Sequence, residues 1–375
     1  MTDFSQRWAW VDINLGLIQH NTAIIAQRIA PAEVWAVVKA GAYGHGAVQV
    51  SQAALTAGAT GLCVALVEEA IALRAGGVTA PILLLSEQPA SQANDIVSHN
   101  LIATVSTVIG ASAIAVAAAQ VGRVVGVHMK IDTGMHRVGV APSEALALAQ
   151  FIGSSESLQL DGIWTHFAVA DTPSHPANAA QLQLFTSTLD ALASHGIAPP
   201  YIHAANSAAA LTRPDSRFSM ARIGIAMYGL VPGPDVRDAC AGLIPVMSLR
   251  ARVSALRWIE AGEAVSYGLR RPVLEKSLIA TIPLGYADGV PRRLWESRTP
   301  VLINGIPREI CGTVSMDQLM VDCGTDSSVT IGDEVVLFGT QGEHTITPDD
   351  WAARCATIGY EIVCGISARM QRRYV

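Results

Sequence analysis

Between residues 33 and 229, apolar strand-like runs alternate with alanine-rich helix-like runs, and this alternation is the strongest constraint in the sequence. The run Val34-Trp35-Ala36-Val37-Val38 is apolar without a polar face, so it reads as a strand buried on both sides. It ends on Lys39 and breaks into Ala40-Gly41-Ala42-Tyr43-Gly44-His45-Gly46, a glycine-rich turn. The pattern then predicts helices over 47–57, 67–75, 90–99, 107–121, 143–153 and 179–195, with a short one from Ser207. The strands between them are predicted at 61–66, 81–86, 101–106, 124–132, 158–167, 201–206 and 220–229. Counted from the Lys39 strand, that makes eight strands separated by helices, the signature of a (β/α)8 barrel. A doubly wound sheet is the competing arrangement, but no G-x-G-x-x-G follows a first strand.

The rhythm stops near residues 230–234. Beyond it come short alternating runs separated by Gly and Pro, at 249–259, 277–283, 300–303, 309–315, 319–321 and 334–338, with one clear helix at 348–356. The expected fold is therefore α/β, an N-terminal (β/α)8 TIM barrel followed by a mostly β C-terminal domain. The boundary falls at 1–240 and 241–375. The strand at 8–13, followed by a helix over 14–29 capped by Asn14, belongs either to the barrel's lead-in or to the C-terminal domain.

Half of the 375 residues are hydrophobic and only 15% are charged, enough for a large core. The formal charge of -6 and the absence of a basic run exclude a general nucleic-acid binder. The longest apolar run, 111–119, is too short to span a bilayer and reads as a helix, so no membrane partner is expected. The N-terminal residues lack the apolar core of a signal peptide. The six cysteines form no C-x-x-C pair, so reduced thiols in the cytoplasm are expected. No metal-ligand spacing appears: a barrel hydrolase using His45, His128, His166 and His203 would normally carry an H-x-H pair.

Barrel active sites lie at the C-terminal ends of the strands, and phosphates often bind after strands seven and eight. The residues there are Lys39, Lys130, His166, Asn206-Ser207 and Arg222-Ile223-Gly224-Ile225. Lys39 is one of only three lysines, the others being Lys130 and Lys276. A lysine at a dry strand end becomes a nucleophile or Schiff-base former; in solvent it is merely a cap. An amine facing a phosphate site across a barrel mouth points to pyridoxal 5'-phosphate.

These segments carry a resemblance to the bacterial alanine racemases, pyridoxal-phosphate enzymes of fold type III, from one end of the chain to the other. The matching stretches in the first domain are 36–46, His128-Met129-Lys130-Ile131-Asp132-Thr133-Gly134-Met135-His136-Arg137-Val138-Gly139, Thr165-His166-Phe167, 203–209 and 221–229. Val265-Ser266-Tyr267-Gly268, 285–289, Val314-Ser315-Met316-Asp317 and Gly359-Tyr360-Glu361 follow in the second.

The resemblance implies a cytoplasmic isomerase that makes D-alanine, a peptidoglycan precursor, by a two-base mechanism on an external aldimine. Lys39 would serve the D face and Tyr267, supplied by the partner chain of a homodimer with shared active sites, the L face. By itself Tyr267 reads as a half-buried strand tyrosine, and a tyrosine's pKa near ~10 is high for a base, so Arg222 and His166 are the groups expected to activate it. Arg222 would face the pyridine nitrogen as a donor only. Tyr43, Ser207, Gly224, Ile225 and Tyr360 would hold the phosphate, with His166 and Asn206 also at the cofactor. Arg137 and the backbone of Met316 would receive the substrate carboxylate. Lys130 matches a position carbamylated in some members; its plainer reading is an ion pair with Asp132. Asp171, His203, Tyr286, Arg292 and Asp317 would line the entrance, although His203 reads equally as a hydrogen-bonded core histidine. Two positions depart from the family pattern. Gly41 stands where an aspartate is usual, so altered loop flexibility is expected. Thr313 stands where some relatives have arginine, which leaves the entrance less cationic. The alternatives are a serine or broad-specificity racemase and a non-catalytic pyridoxal-phosphate-binding barrel.

Overall fold

The computed structural model describes residues 6–375; residues 1–5 of the expected first domain lie outside them. The chain divides into two compact units. One comprises Ile18–Ala42 and Ala47–Leu243; the other comprises residues 6–17, Tyr43–Gly46 and Ile244–Val375.

Strand β1 (Ala9–Ile13) opens the chain and lies in the second unit, antiparallel to β10 (Met247–Arg252) and parallel to β18 (Gln371–Tyr374). The first unit holds the eight barrel strands: β2 (Glu33–Val37), β3 (Ala59–Val64), β4 (Ile82–Leu84), β5 (Ala103–Val105), β6 (Val125–Lys130), β7 (Leu158–Trp164), β8 (Tyr201–His203) and β9 (Met220–Ile223). They form two parallel four-stranded sheets, β4-β3-β2-β9 and β5-β6-β7-β8. A parallel bridge Leu83–Ile102 joins them on one side, and the Ser219 N–H to Ile202 carbonyl bond of 3.1 Å joins them on the other. Helices follow the strands as the alternation requires. Thr107 caps the helix Val108–Gln120 by accepting from Gly110 N–H, and Asn14 caps Leu15–Ile29 by accepting from Leu17 N–H at 3.0 Å.

The barrel interior is aromatic. Trp35 is 1% exposed and lies flat against Gly61, where an added Cβ would sit 2.5 Å from the ring. Gly162 makes the same kind of room for His128, whose ring would lie 2.6 Å from a Cβ there.

Several strands end sooner than the hydrophobic pattern suggests. The run 220–229 is a strand only to Ile223; Ile225–Tyr228 is a 3-10 turn closed by Gly229 at φ +75. Likewise 158–167 stops at Trp164 and 201–206 at His203. The reason is pairing: rim residues stay buried, hence apolar, after their neighbours in the ladder have run out.

The second unit carries β11 (Ala255–Ile259), β12 (Ser277–Ile282), β13 (Pro300–Ile303), β14 (Ile306–Cys311), β15 (Leu319–Asp322), β16 (Glu334–Gln341) and β17 (His344–Ile346). Its sheet runs β11-β12-β15-β14-β13-β16-β10-β1-β18, with β17 paired to β16. It has two helices where one was expected, Pro348–Cys355 and Gly359–Gly365. The second has glycine at both ends and is too short for a periodic apolar face.

Candidate active site

The turn after β2 is the most unusual backbone in the barrel. Ala40, Gly41 and Ala42 have φ of +52, +62 and +56, and Tyr43 continues at +53, so one turn of chain winds left-handed. Such a conformation costs L-residues roughly 1–2 kcal/mol each, so something must hold it. Glu69 does so: its carboxylate accepts from Ala40 N–H at 2.5 Å and from Ala65 and Leu66 N–H at 2.8 and 3.2 Å. Lys39 stands half-buried at the head of this turn. Glu69 escaped notice in the sequence because it looks like an ordinary first-turn helix glutamate.

Arg222, on β9, is 2% exposed yet carries a charge. Burial pulls its guanidinium down to about 10, still fully protonated at neutral pH. It donates through Nη1 to His203 Nδ1 at 2.6 Å and through Nη2 to His166 Nδ1 at 3.1 Å, to Thr165 O at 2.8 Å and to Ala204 O at 2.9 Å. An arginine can only donate, so both histidines accept at Nδ1 and, when neutral, carry their proton on Nε2. Burial first, then Arg222, holds both well below the usual histidine range. His203 Nε2–H therefore donates to His128 Nδ1 at 3.0 Å, and burial pushes His128 down to about 3. The donor direction is thus set from Arg222 inward. It also corrects the placing of His203: at 0% exposed, stacked on Trp164 at 5.5 Å, it is a hydrogen-bonded core histidine rather than an entrance residue.

Lys130 ends β6 at 3% exposed, its ammonium 4.4 Å from the Trp164 ring centre. Burial, followed by Arg137 and Arg222, pushes it down to about 8. The plain Lys130–Asp132 ion pair is not formed. Asp132 Oδ1 instead accepts the backbone N–H groups of Gly134, Met135 and His136 at 3.0, 3.1 and 3.0 Å, bracing the loop that presents Arg137. Burial would raise the Asp132 pKa, but these bonds outweigh it and hold it low.

Ser207, 4% exposed, begins the helix Ser207–Thr212, and its Oγ accepts from Gly224 N–H at 2.9 Å. The hydroxyl and the turn after β9 are thereby gathered at one place, with Ile225 alongside. Asn206 caps that helix, its side-chain oxygen accepting from Ala209 N–H at 3.0 Å. Asp171 is exposed and lies against Gly233.

In the second unit Tyr43 and Tyr360 bring their rings to 6.0 Å. Tyr267 is 72% exposed, on a loop pinned by Thr313, whose Oγ1 donates to Tyr267 O at 3.0 Å. Thr313 is itself 2% exposed, so its lack of charge bears on this loop more than on an entrance surface. Met316 and Tyr286 are 52% and 42% exposed, Arg292 is exposed, and Asp317 pairs with Arg369 at 2.7 Å. Among the described residues no three His, Cys, Asp or Glu side chains gather for a metal ion, and no helix is long and apolar enough to cross a membrane.

The barrel rim thus offers a lysine amine, a permanently charged donor and a serine-plus-backbone cradle. These are the amine, ring-nitrogen and phosphate partners that pyridoxal phosphate requires, and they fit it.

The sequence profile for "Alanine racemase, N-terminal domain" matches residues 13–232, and that for "Alanine racemase, C-terminal domain" matches 246–374. An alanine racemase of Symbiobacterium thermophilum is 41% identical over 369 residues, covering 98% of this chain and 97% of its own. The alanine racemase of Streptomyces coelicolor superposes with a TM-score of 0.93 at 38% identity, covering 98% of both chains. A histidine racemase from Leuconostoc mesenteroides superposes at 0.92 with 29% identity, covering 100% of this chain and 99% of its own.

Proposed function

The chain belongs to the alanine racemase family, and from that premise we propose that it interconverts L- and D-alanine with pyridoxal 5'-phosphate held at the barrel rim. The observation that carries this reading is the buried Arg222, which donates to His203, His166 and two carbonyls and keeps its charge throughout.

Pyridoxal phosphate, when bound, supplies the electron sink that accepts the pair left as the Cα proton departs. The protein's own groups do the rest. Lys39 anchors the cofactor and moves the proton on the D face; Tyr267 of the partner subunit moves it on the L face. His166, neutral with its proton on Nε2, is a hydrogen-bond donor suited to a tyrosinate. Arg222 meets the ring nitrogen with a proton it does not release, which weakens the sink and disfavours transamination. Ser207, Gly224, Ile225, Tyr43 and Tyr360 hold the phosphate, and Arg137 and the Met316 backbone hold the substrate carboxylate. Lys130, with its amine depressed to about 8, is primed for a carbamate, which would give Arg137 an anionic neighbour. Asp171, Tyr286, Arg292 and Asp317 line the entrance. The unit is a cytoplasmic homodimer.

The likeness to a histidine racemase at 29% identity keeps a second amino-acid substrate in view. Tyr360 crowds the side-chain pocket and favours alanine, so kcat/KM for L-alanine should exceed those for L-serine and L-histidine. Borohydride reduction of the cofactor-loaded protein, followed by peptide mapping, tests the core reading. The label is expected on Lys39, with deuterium entering Cα of alanine in D2O. A label on any other residue, or no exchange, overturns it.

A further inference from the structure

The loop that presents Tyr267 is held in an unfavourable shape. Ser266, Gly268 and Leu269 have φ of +65, +81 and +42, so two residues with side chains sit in the left-handed region on either side of Tyr267. Two reciprocal hydrogen bonds clasp it to the strand-end at 312–313. Ser266 Oγ–H donates to Thr313 O at 2.5 Å, and Thr313 Oγ1–H donates back to Tyr267 O at 3.0 Å. Gly312, at φ +69, lets the two segments close: a Cβ there would lie 2.5 Å from Val265 O and 3.0 Å from the Ser266 side chain. Beneath the clasp, Val265 packs on Ile259, Val273, Ile279 and Cys311. The backbone is therefore anchored on one side, while Tyr267 itself is 72% exposed.

We infer that Thr313 is a positioning residue for Tyr267: its hydroxyl, with that of Ser266, sets the backbone from which the phenol is presented. The inference rests on Tyr267 being the L-face base. No other described hydroxyl donates to the Tyr267 carbonyl, and the chain on either side is strained, so losing Thr313 Oγ1 releases the loop towards ordinary backbone angles. Phenol placement should suffer while the barrel and Lys39 are untouched, because Thr313 and Lys39 belong to different units.

Proton exchange distinguishes the two faces. The holoenzyme is given D-alanine in D2O, and deuterium in recovered D-alanine is compared with the L-alanine formed. In Thr313→Val, which keeps the shape and loses the hydroxyl, racemisation should fall about three- to tenfold, the range expected for one net hydrogen bond. Exchange without inversion through Lys39 should continue, so the exchange-to-racemisation ratio rises by the same factor. Thr313→Ser should restore the wild-type ratio. In the cofactor-free protein, amide exchange over residues 265–269 should quicken in Thr313→Val and not in Thr313→Ser. An unchanged ratio, or exchange and racemisation falling together, overturns the inference. Tyr267→Phe serves as the control: if it racemises normally, the proposed role of Tyr267 has failed, not the clasp.

Discussion

Arg222 donates through Nη1 to His203 Nδ1 at 2.6 Å, and His203 passes the donor direction on to His128 at 3.0 Å. A permanent cation is thus held in the barrel by neutral acceptors, and no carboxylate is among its hydrogen-bond partners. His203→Phe keeps the aromatic bulk beside Trp164 but removes the acceptor. The variant should lose about 1–3 kcal/mol of stability from the stranded donor, bind pyridoxal phosphate more weakly and racemise at least about tenfold more slowly. Thermal unfolding and cofactor titration by absorbance check this. An unaltered protein would mean that the hydrogen bond does not hold Arg222.

Tyr267 is mostly exposed, so Tyr267→Phe should shift stability by no more than about 0.5 kcal/mol while lowering racemisation about 100- to 10,000-fold. Lys39→Ala should be equally inactive. Because each site would take Lys39 from one chain and Tyr267 from the other, mixing and reassembling the two dead variants should restore about a quarter of wild-type activity. If both residues act within one chain, nothing returns.

Lys130 fixes a pH window. In the unfolded chain it holds its proton up to about 10.5, and in the fold only up to about 8. Between those values the unfolded chain binds more protons, so this group makes stability rise with pH across the window. Comparing wild type with Lys130→Met in carbonate-free buffer should expose a difference of about 1–2 kcal/mol that closes as pH climbs from 8 to 10.5. Chemical denaturation at stepped pH measures it. Added bicarbonate should diminish the effect if the amine is converted to a carbamate.

Gly41 sits at φ +62 with nothing within 4 Å of where a Cβ would be. A side chain there meets no clash, so its cost is purely conformational. Gly41→Val should lower stability by about 1–2 kcal/mol and Gly41→Asp by less, aspartate tolerating this region better. Denaturant midpoints give the answer; equal stability of all three would mean that the turn relaxes. The expectation of altered loop flexibility thus becomes a statement about strain: Gly41 relieves a left-handed stretch whose neighbours Ala40, Ala42 and Tyr43 all carry side chains.

Much of the architecture was legible because barrel strands buried on both faces cannot hide their apolar runs. Lys39, Lys130, His166 and Arg222 stood out as polar residues interrupting or ending such runs. What misled was burial beyond pairing. The apolar run after Ile223 looks like strand because the 3-10 turn Ile225–Tyr228 is equally buried. Asn206, expected at the cofactor, also caps a helix through its side-chain oxygen, and a short polar side chain at a strand-to-helix junction gives no sign of that second task in the sequence.

By itself the sequence determined the order of elements, the eight-fold alternation, the β-rich second part and the family. The first three rest on hydrophobic period and turn chemistry, which act over a few residues; the family rests on the matching motifs that run from residue 36 to residue 361. The tertiary structure alone decided that His203 faces Arg222 rather than an entrance, that Glu69 holds a left-handed turn 29 residues away, and that Thr313 grips the loop of Tyr267. Those choices depend on donors meeting acceptors from separate strands and loops, and such pairs exist only once the backbone has brought distant segments together.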